Sequence, residues 1–296
     1  MDDDPSSSTV AFSILREGGM RLDLALAEID RLHLHEETIP ELLEDLTRAI
    51  EEDGILEDPV IVDRETFVVL DGMHRVKALR RLGCRFIPVC FVDYHSPEIR
   101  VDRWCRTVMD DTRMDELREC IESAGLEIEE FSDSPLVEPP LVKGVVGVLE
   151  TRRGRYLLTS DGKMSVLSSF RAVGRVEGEL RSRGFKIGYE TERDAEEKLR
   201  SGEVDAVILP PKIGKEDVVE TAVRGEVFIH KATRHIIPAR PMQVNVPLAL
   251  LRGSGLTLEE ANKRLSETLR LRSLKRMPPG SLWKGRRYEE EIYLFE

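Results

Sequence analysis

Side-chain amides are scarce in this 296-residue chain: asparagine occurs only as Asn245 and Asn262, and glutamine only as Gln243. Amides are thermolabile, and a chain with few of them but 34% charged residues has the composition found in many proteins of hyperthermophiles. The shortage thus predicts a thermophilic source. It carries no information on activity.

Cysteine is also scarce, with Cys84, Cys90, Cys105 and Cys120 as its four occurrences. No two of them form a Cys-x-x-Cys pair, and no histidine stands at zinc-finger spacing, which argues against a structural zinc site. We expect buried free thiols. A disulfide stays open as an alternative, because intracellular proteins of hyperthermophiles can form them.

Long apolar runs are missing, and so is a positive net charge. No stretch approaches the roughly 18 apolar residues of a membrane span, and the N-terminus is acidic without the apolar core of a signal peptide. We therefore expect a cytoplasmic protein with no membrane partner. The net charge of −12 argues against duplex DNA as a partner, since binding to phosphates requires a basic surface. The oligomeric state is left open.

The patterns that are present predict a mixed α/β fold, in which short apolar strands alternate with amphipathic helices. The length favours two domains, and the composition changes around residues 132–140, where serine, aspartate and proline are frequent. The expected parts are a disordered tail (1–20), a nucleotide-binding domain (21–132), a smaller α/β domain with a substrate-binding loop (140–252) and a helical C-terminal extension (253–296).

Two helix starts carry the capping-box pattern, in which a Thr is followed three residues later by Glu. Thr38 with Glu41 predicts a helix that ends at Gly54. Thr257 with Glu260 predicts the helix that opens the C-terminal extension.

The most informative motif is the stretch 68–75, Val-Val-Leu-Asp-Gly-Met-His-Arg. An apolar strand stops at Asp71-Gly72 and a basic helix begins at once, so unpaired helix amides are available to a phosphate. Asp71 can hold a hard cation, Gly72 allows a close backbone approach, and the side chains of His74 and Arg75 can contact phosphoryl oxygens. Basic residues oppose the dipole in the first turn of a helix at about 0.3–1 kcal/mol each, a cost that an anionic ligand would reverse. An ordinary Asp-Gly turn remains the alternative.

A second candidate is the acidic stretch His35-Glu36-Glu37, just before the first predicted helix. Phosphorylation of an alcohol benefits from a carboxylate that accepts the hydroxyl proton, an effect of about 10²–10⁴ in rate. Glu36 is the candidate base. The alternative is an acidic cluster that stabilises the positive end of a helix.

A third candidate lies within 231–235, where Lys231, Thr233, Arg234 and His235 can together hold a carboxylate or phosphate. We interpret the polar and basic stretch 227–241 around them as a functional loop, with a solvated basic loop as the alternative. Trp104 lies in an extended stretch and is either a core aromatic or part of a pocket.

Together these motifs resemble those of the archaeal ADP-dependent free L-serine kinases, which belong to the ParB/sulfiredoxin-like superfamily. Residues 71–75 resemble the family's Asp-Gly-His-His-Arg signature, and His35-Glu36 resembles its His-Glu pair. Residues 225–235 resemble its Gly-Glu-Val-Phe…Lys-Thr-Thr-Arg-His segment, and Trp104 matches a substrate-pocket tryptophan. Order and approximate spacing agree from about residue 25 to residue 250.

The resemblance implies a ParB/sulfiredoxin-like N-terminal domain and a kinase that converts ADP and L-serine into AMP and O-phospho-L-serine with Mg²⁺, for cysteine synthesis. It implies catalytic roles for Glu36, Asp71 and His74, with Asp71 also at the metal. It implies nucleotide binding by Asp71, Gly72, Met73, His74 and Arg75, and serine binding by Trp104, Lys231, Thr233, Arg234 and His235. We expect the catalytic cleft between the two domains.

Met73 is the main departure, because it replaces the first histidine of the signature. It leaves open whether ADP or ATP is the phosphoryl donor. Residues 253–296 lie beyond the resemblance. A sulfiredoxin-like reduction of sulfinic acids would need a cysteine in the turn where Met73 stands. The alternative from another class is a ParB-like nucleotide-binding regulator of DNA, although no Gly-Glu-Arg-Arg-type motif or helix-turn-helix pattern is visible.

Overall fold

The computed structural model describes residues 10–109, 113–131 and 144–296. Contacts divide the chain into two units, and each is described by itself. Unit 1 comprises the chain up to Arg100 with 222–226 and 235–296, and unit 2 comprises 101–221 with 227–234.

Eight α-helices are present in the described residues. They are α1 (Pro40–Asp53), α2 (Met73–Arg81), α3 (Met114–Ser123), α4 (Val166–Ser182), α5 (Glu192–Ser201), α6 (Lys215–Val223), α7 (Leu248–Arg252) and α8 (Leu258–Arg270).

Twenty strands are present in the same residues. They are β1 (Phe12–Leu15), β2 (Arg21–Glu28), β3 (Ile55–Leu56), β4 (Val60–Asp63), β5 (Val69–Asp71), β6 (Phe86–Val92), β7 (Arg100–Arg103), β8 (Cys105–Met109), β9 (Glu127–Phe131), β10 (Val145–Thr151), β11 (Gly154–Thr159), β12 (Lys186–Glu190), β13 (Ala206–Leu209), β14 (Thr233–Ile236), β15 (Ala239–Met242), β16 (Val246–Pro247), β17 (Leu274–Met277), β18 (Leu282–Trp283), β19 (Arg286–Arg287) and β20 (Glu291–Phe295).

Unit 1 is built on a five-stranded sheet with the order β1-β2-β6-β4-β5. The central strand β6 pairs antiparallel with β2 and parallel with β4, and all of its residues are buried. An uninterrupted apolar strand of this kind requires cover on both faces of the sheet. Helix α8 packs on β2, where the buried amide of Asn262 accepts a hydrogen bond from Leu26 N–H at 2.7 Å and donates one to Leu26 C=O at 3.1 Å.

The C-terminal residues complete unit 1 and do not form a helical extension. Beyond α8 they supply β17 and the fully buried β20, which lies at the centre of the three-stranded sheet β15-β20-β17. Strand β20 runs parallel to β15 and antiparallel to β17. Strand β20 takes this central position because its apolar residues 292–295 are buried there.

Unit 2 contains a six-stranded sheet with the order β12-β8-β13-β10-β11-β9, in which all pairings are antiparallel. Helix α4 packs against β10 and β12 and also contacts α3. The side chains of Val173, Val176 and Leu180 point from α4 into this core, at the three- and four-residue spacing of one helix face. The mixed α/β class predicted from the sequence is confirmed.

Several local expectations are wrong. Phe12–Leu15, placed in the disordered tail, forms β1 and pairs with β2, because its apolar residues extend the sheet edge. Residue Ile39, not Thr38, caps α1, since Pro40 takes the first helical position. The stretch 227–241 is a loop only as far as residue 232, because the residues that follow form β14 and most of β15.

The expected domain boundaries also differ from the units. The proposed linker at 132–140 lies outside the described residues, and the chain passes from unit 1 to unit 2 after Arg100. Residues 253–296 belong to unit 1. Such exchanges between units depend on long-range pairing, which local composition does not encode.

The four cysteines are buried free thiols, as expected. Among the described helices, none combines the length and the apolar character needed to span a bilayer.

Candidate active site

The strand β5 ends at Asp71, and Gly72 turns the chain into α2. Gly72 has φ = 107°, a left-handed conformation that side chains rarely adopt. A Cβ atom here would lie 2.6 Å from Val60 Cγ1 and 2.9 Å from Arg75 Nε. The close approach of α2 to β4 therefore requires glycine.

The N-terminus of α2 offers a place for an anion. No side chain caps the helix, and its first turn contains no acidic residue. Its leading amide groups therefore carry the partial positive charge of an uncompensated helix end. Met73, His74 and Arg75 form this first turn, and their side chains are half-buried.

Asp71 is held by two arginines. Its Oδ2 atom accepts hydrogen bonds from Nη2 of Arg75 at 2.8 Å and from Nη1 of Arg240 at 3.0 Å. Burial raises the pKa of this carboxyl, but the two guanidinium charges outweigh burial and lower the pKa to about 2. Asp71 is thus ionised at neutral pH, and both arginines contact its Oδ2 atom.

Arg240 was missed by the sequence analysis, although it lies within the stretch interpreted as functional. Its Nε atom forms an ion pair with Glu290 while Nη1 contacts Asp71. An arginine 169 residues away in sequence has no local signal that links it to Asp71. The weak signal available was its position five residues after His235.

Arg75 also has a structural task. Its Nη1 donates to the backbone carbonyls of Pro59 at 2.6 Å and Asp58 at 3.2 Å. The guanidinium thereby fixes Asp71 against the segment that leads into β4. Contact between Arg75 and a phosphate stays a prediction.

His74 joins the starts of two helices. Its Nε2 atom accepts a hydrogen bond from the backbone N–H of Ile39, the N-cap of α1, at 3.0 Å. A neutral ring whose Nε2 accepts carries its proton on Nδ1. The ring proton of His74 is therefore on Nδ1, and an N–H group of this kind can donate to an anion.

His35 is fully buried beside β5. Its Nδ1 lies 2.8 Å from the carbonyl oxygen of Val69, and burial lowers the pKa of the ring to about 4. The ring meets that of His235 edge-on, with 5.2 Å between centroids, and His235 Nε2 lies 2.8 Å from the Tyr94 hydroxyl. The three aromatic side chains fix the segment that carries Glu36.

Glu36 follows this buried histidine and is half-buried. The segment begins with a parallel bridge between His33 and Val68, in which Val69 N–H donates to His33 C=O at 2.9 Å. The bridge lies three residues before Glu36 on one side and three residues before Asp71 on the other. A position of the candidate base beside the turn at Asp71 and Gly72 stays a prediction.

In unit 2 the structure brings Trp104 together with two of the predicted cations. Lys231 Nζ lies 5.1 Å and Arg234 Cζ 5.7 Å from the centroid of the indole ring. Lys231 adopts φ = 58°, so a left-handed turn presents it at the surface. Thr233 is buried at the start of β14. His235 belongs to unit 1.

A buried polar network in unit 2 supports these residues and was not foreseen. The fully buried Arg106 forms an ion pair with Glu177 and donates to Trp104 C=O at 2.7 Å and to His230 C=O at 3.5 Å. The Tyr189 hydroxyl donates to Glu177 at 2.9 Å and lies 2.6 Å from His230 Nε2. Burial, followed by the charge of Glu177, raises the pKa of Tyr189 to about 12. The network fixes the backbone next to Trp104 and Lys231.

No group of three or more metal-binding side chains occurs in the part of the chain that the structure describes. Mg²⁺ does not need such a group at a nucleotide site, where one or two carboxylates together with phosphates and water suffice. Asp71 fits that requirement, since its side chain is 38% exposed and its bonds to the arginines engage one oxygen.

The chain is similar in sequence to one known domain and to known kinases. The model of the ParB N-terminal domain matches residues 21–104. The chain is 29% identical over 235 residues to an ATP-dependent L-serine kinase of Staphylothermus marinus, covering 77% of this chain and 90% of that protein. It is 27% identical over 237 residues to an ADP-dependent L-serine kinase of Thermococcus kodakarensis, covering 77% and 93%.

Among solved structures, a free serine kinase in complex with AMP is similar, with a TM-score of 0.66, 27% identity and coverage of 78% of this chain and 94% of that one. The resemblance seen in the sequence is confirmed: the chain is similar to L-serine kinases, and its residues 21–104 match the ParB N-terminal domain.

Proposed function

We propose that this protein is a small-molecule kinase that transfers a phosphoryl group from a nucleotide to the hydroxyl of free L-serine, giving O-phospho-L-serine. The observation that carries the proposal is the ionised Asp71 at the uncapped N-terminus of α2. Phosphoryl transfer needs positive partial charge on the phosphate oxygens and a carboxylate for a metal ion, and both meet at this turn. The names of the relatives give the acceptor as L-serine.

The nucleotide phosphates would lie at the start of α2. The amides after Gly72, including that of Met73, would donate to phosphate oxygens, and His74 Nδ1–H and Arg75 would add charge-assisted bonds. Asp71 would hold Mg²⁺ through Oδ1. When bound, that ion neutralises charge that develops on the transferred group.

Glu36 would accept the proton of the serine hydroxyl. It is half-buried, next to the rigid His35, so its carboxylate is carried by a fixed backbone. A fixed carboxylate loses little entropy on reaching the reactive geometry.

The serine molecule would be held by Lys231, Arg234 and Thr233 with His235, while Trp104 supplies an aromatic wall. Lys231 and Arg234 already lie over the indole ring, and their charges suit the carboxylate of an amino acid. These roles rest on chemistry and on the resemblance of the motif.

The donor is proposed to be ADP or ATP. The two relatives differ in this respect, one being named ATP-dependent and the other ADP-dependent. Met73 stands at the signature position, and its effect on the choice between ADP and ATP is left open. The product would serve cysteine synthesis in the cytoplasm.

The test is incubation of the protein with Mg²⁺, L-serine and either ADP or ATP, followed by chromatography. Formation of phosphoserine with stoichiometric AMP from ADP, or ADP from ATP, is expected. A reaction without serine serves as the control for nucleotide hydrolysis. Absence of phosphoserine with both donors, combined with salt-sensitive duplex DNA binding in a gel shift, would support the ParB-like regulator instead.

A further inference from the structure

The C-terminal segment, residues 253–296, reaches the candidate active site through one side chain. Glu290 pairs with Nε of Arg240, and Nη1 of the same guanidinium contacts Asp71. Arg240 and Glu290 are 18% and 12% exposed, so solvent screens this pair little.

We infer that Glu290 is a positioning residue that holds Arg240 so that it engages only one oxygen of Asp71, leaving the other oxygen for the metal-nucleotide ligand. The inference rests on the proposed function in taking that ligand to be a nucleotide with Mg²⁺. It also assigns a role to the C-terminal segment, which the sequence motifs left without one.

The backbone around Glu290 is well fixed. Strands β15 and β20 pair in parallel register, with Arg240 opposite Ile292, and Glu291 N–H donates to Pro238 C=O at 3.0 Å. The neighbouring Glu291 is buried, and Arg16 and Arg276 each donate to it at 2.9 Å. The backbone at Glu290 therefore has a fixed position relative to β15.

The geometry of an arginine explains why this matters. A guanidinium forms its strongest pair with a carboxylate in a fork, through two N–H groups to two oxygens. The charge of Glu290 holds the guanidinium at Nε, and Arg240 contacts Asp71 through Nη1, which donates to Oδ2 at 3.0 Å. Loss of the Glu290 charge would free the guanidinium to take both oxygens of Asp71. An arginine bound to both oxygens would compete with a cation for the Asp71 carboxylate.

The experiment compares Glu290→Gln with wild type in the full-length protein, by calorimetric titration of ADP at several Mg²⁺ concentrations and by initial rates. We expect the Mg²⁺ concentration for half-maximal ADP affinity to rise about five- to tenfold. The rate at saturating serine should fall while the KM for serine stays within twofold. Glu290→Asp keeps the charge but shortens the side chain by one methylene group, so it should raise the required Mg²⁺ concentration by less than Glu290→Gln does.

Glu289→Gln is the matched control, since it makes the same charge change at the exposed neighbouring position and should behave as wild type. An unchanged Mg²⁺ dependence in Glu290→Gln would overturn the inference. So would equal effects of both variants, which would indicate a general charge effect. If Glu290→Gln does not fold, Glu290→Asp decides: a wild-type Mg²⁺ requirement contradicts the inference, and an increased one supports it.

The two proposals fail in different ways. Wild-type protein that binds ADP with Mg²⁺ but forms no phosphoserine would refute the kinase activity, and the binding titrations would still test Glu290. Wild-type protein in which Mg²⁺ does not alter ADP affinity would refute the inference.

Discussion

Nε2 of His74 accepts the backbone N–H of Ile39 at 3.0 Å, and this bond joins the first turn of α2 to the N-cap of α1. The residue that resembles a phosphate ligand is therefore also a structural residue. The bond selects the neutral form of the ring, with its proton on Nδ1. The Thr38 hydroxyl that was predicted to cap α1 makes no capping hydrogen bond, and His74 is the partner of the Ile39 amide instead. Substitutions of His74 can therefore separate its structural role, the bond to Ile39, from its proposed role in phosphate binding.

We expect His74→Gln and His74→Phe to differ in stability but to share a loss of activity. Glutamine can still accept the Ile39 N–H, whereas phenylalanine leaves it unpaired, at about 1–3 kcal/mol. Both remove the Nδ1–H donor, and loss of a bond to a charged group corresponds to about 10–100-fold in rate. Urea unfolding and initial-rate measurements give the two quantities. Wild-type activity in His74→Gln would remove His74 from the list of phosphate ligands.

Gly72→Ala should abolish nucleotide binding and lower stability. The added methyl group would lie 2.6 Å from Val60 Cγ1, so α2 would have to move away from β4. Gly83→Ala is a suitable control, since Gly83 follows the other end of α2 with φ = 67° and a Cβ there meets no atom within 4 Å. The control should show the cost of left-handed strain alone, about 1 kcal/mol, with nucleotide affinity retained. Equal nucleotide affinity in the two variants would contradict the role of the turn.

Glu36→Gln should lower phosphoserine formation by about 10²–10⁴ while leaving nucleotide affinity within a few fold. The amide keeps the shape of the side chain but is not a base. Glu37→Gln provides the comparison, because Glu37 is the exposed neighbour with the same charge. Rates within a few fold of wild type in Glu36→Gln would exclude it as the base and direct attention to another carboxylate.

The local parts of this site could be predicted from sequence. The strand β6 and the turn into α2 follow from apolar runs, glycine and helix periodicity, which act within a few residues. The pairs Arg240–Asp71 and Arg106–Glu177 could not be predicted, since they join residues 169 and 71 positions apart. Charged residues in ion pairs have no periodicity that distinguishes them from solvated ones.

The three residues with side-chain amides illustrate the same limit of prediction from sequence. Gln243 and Asn245 adopt left-handed φ values of 54° and 51°, and Asn262 is buried where it binds both polar groups of Leu26. Each occupies a place that depends on tertiary structure. Composition revealed only that such residues are few. The C-terminal strand β20 was missed for a related reason, because its partners β15 and β17 are specified elsewhere in the chain.

His35 should make the protein less stable as the pH falls from about 6.5 to about 4. Burial lowers the folded-state pKa of its ring to about 4, whereas the unfolded chain titrates near 6.5. Between these values the unfolded state binds the proton more readily, so stability decreases with falling pH, by about 3 kcal/mol in total. The ring faces His235, which pairs with Tyr94, and the carbonyl of Val69. None of these supplies a negative charge that would favour the protonated form.

Urea unfolding of wild type and His35→Asn at intervals from pH 7.5 to pH 4 measures this effect. The asparagine amide can still donate to Val69 C=O but does not titrate, so the variant should lose most of the slope between pH 6.5 and 4. His95→Asn is the control, because the His95 side chain is 78% exposed, and it should keep the wild-type slope. Asp71 does not contribute to the slope in this range. Its folded-state pKa of about 2 means that the stability it contributes is lost only below about pH 4. An identical slope in wild type and His35→Asn would show that the buried ring is not the group that responds to acid.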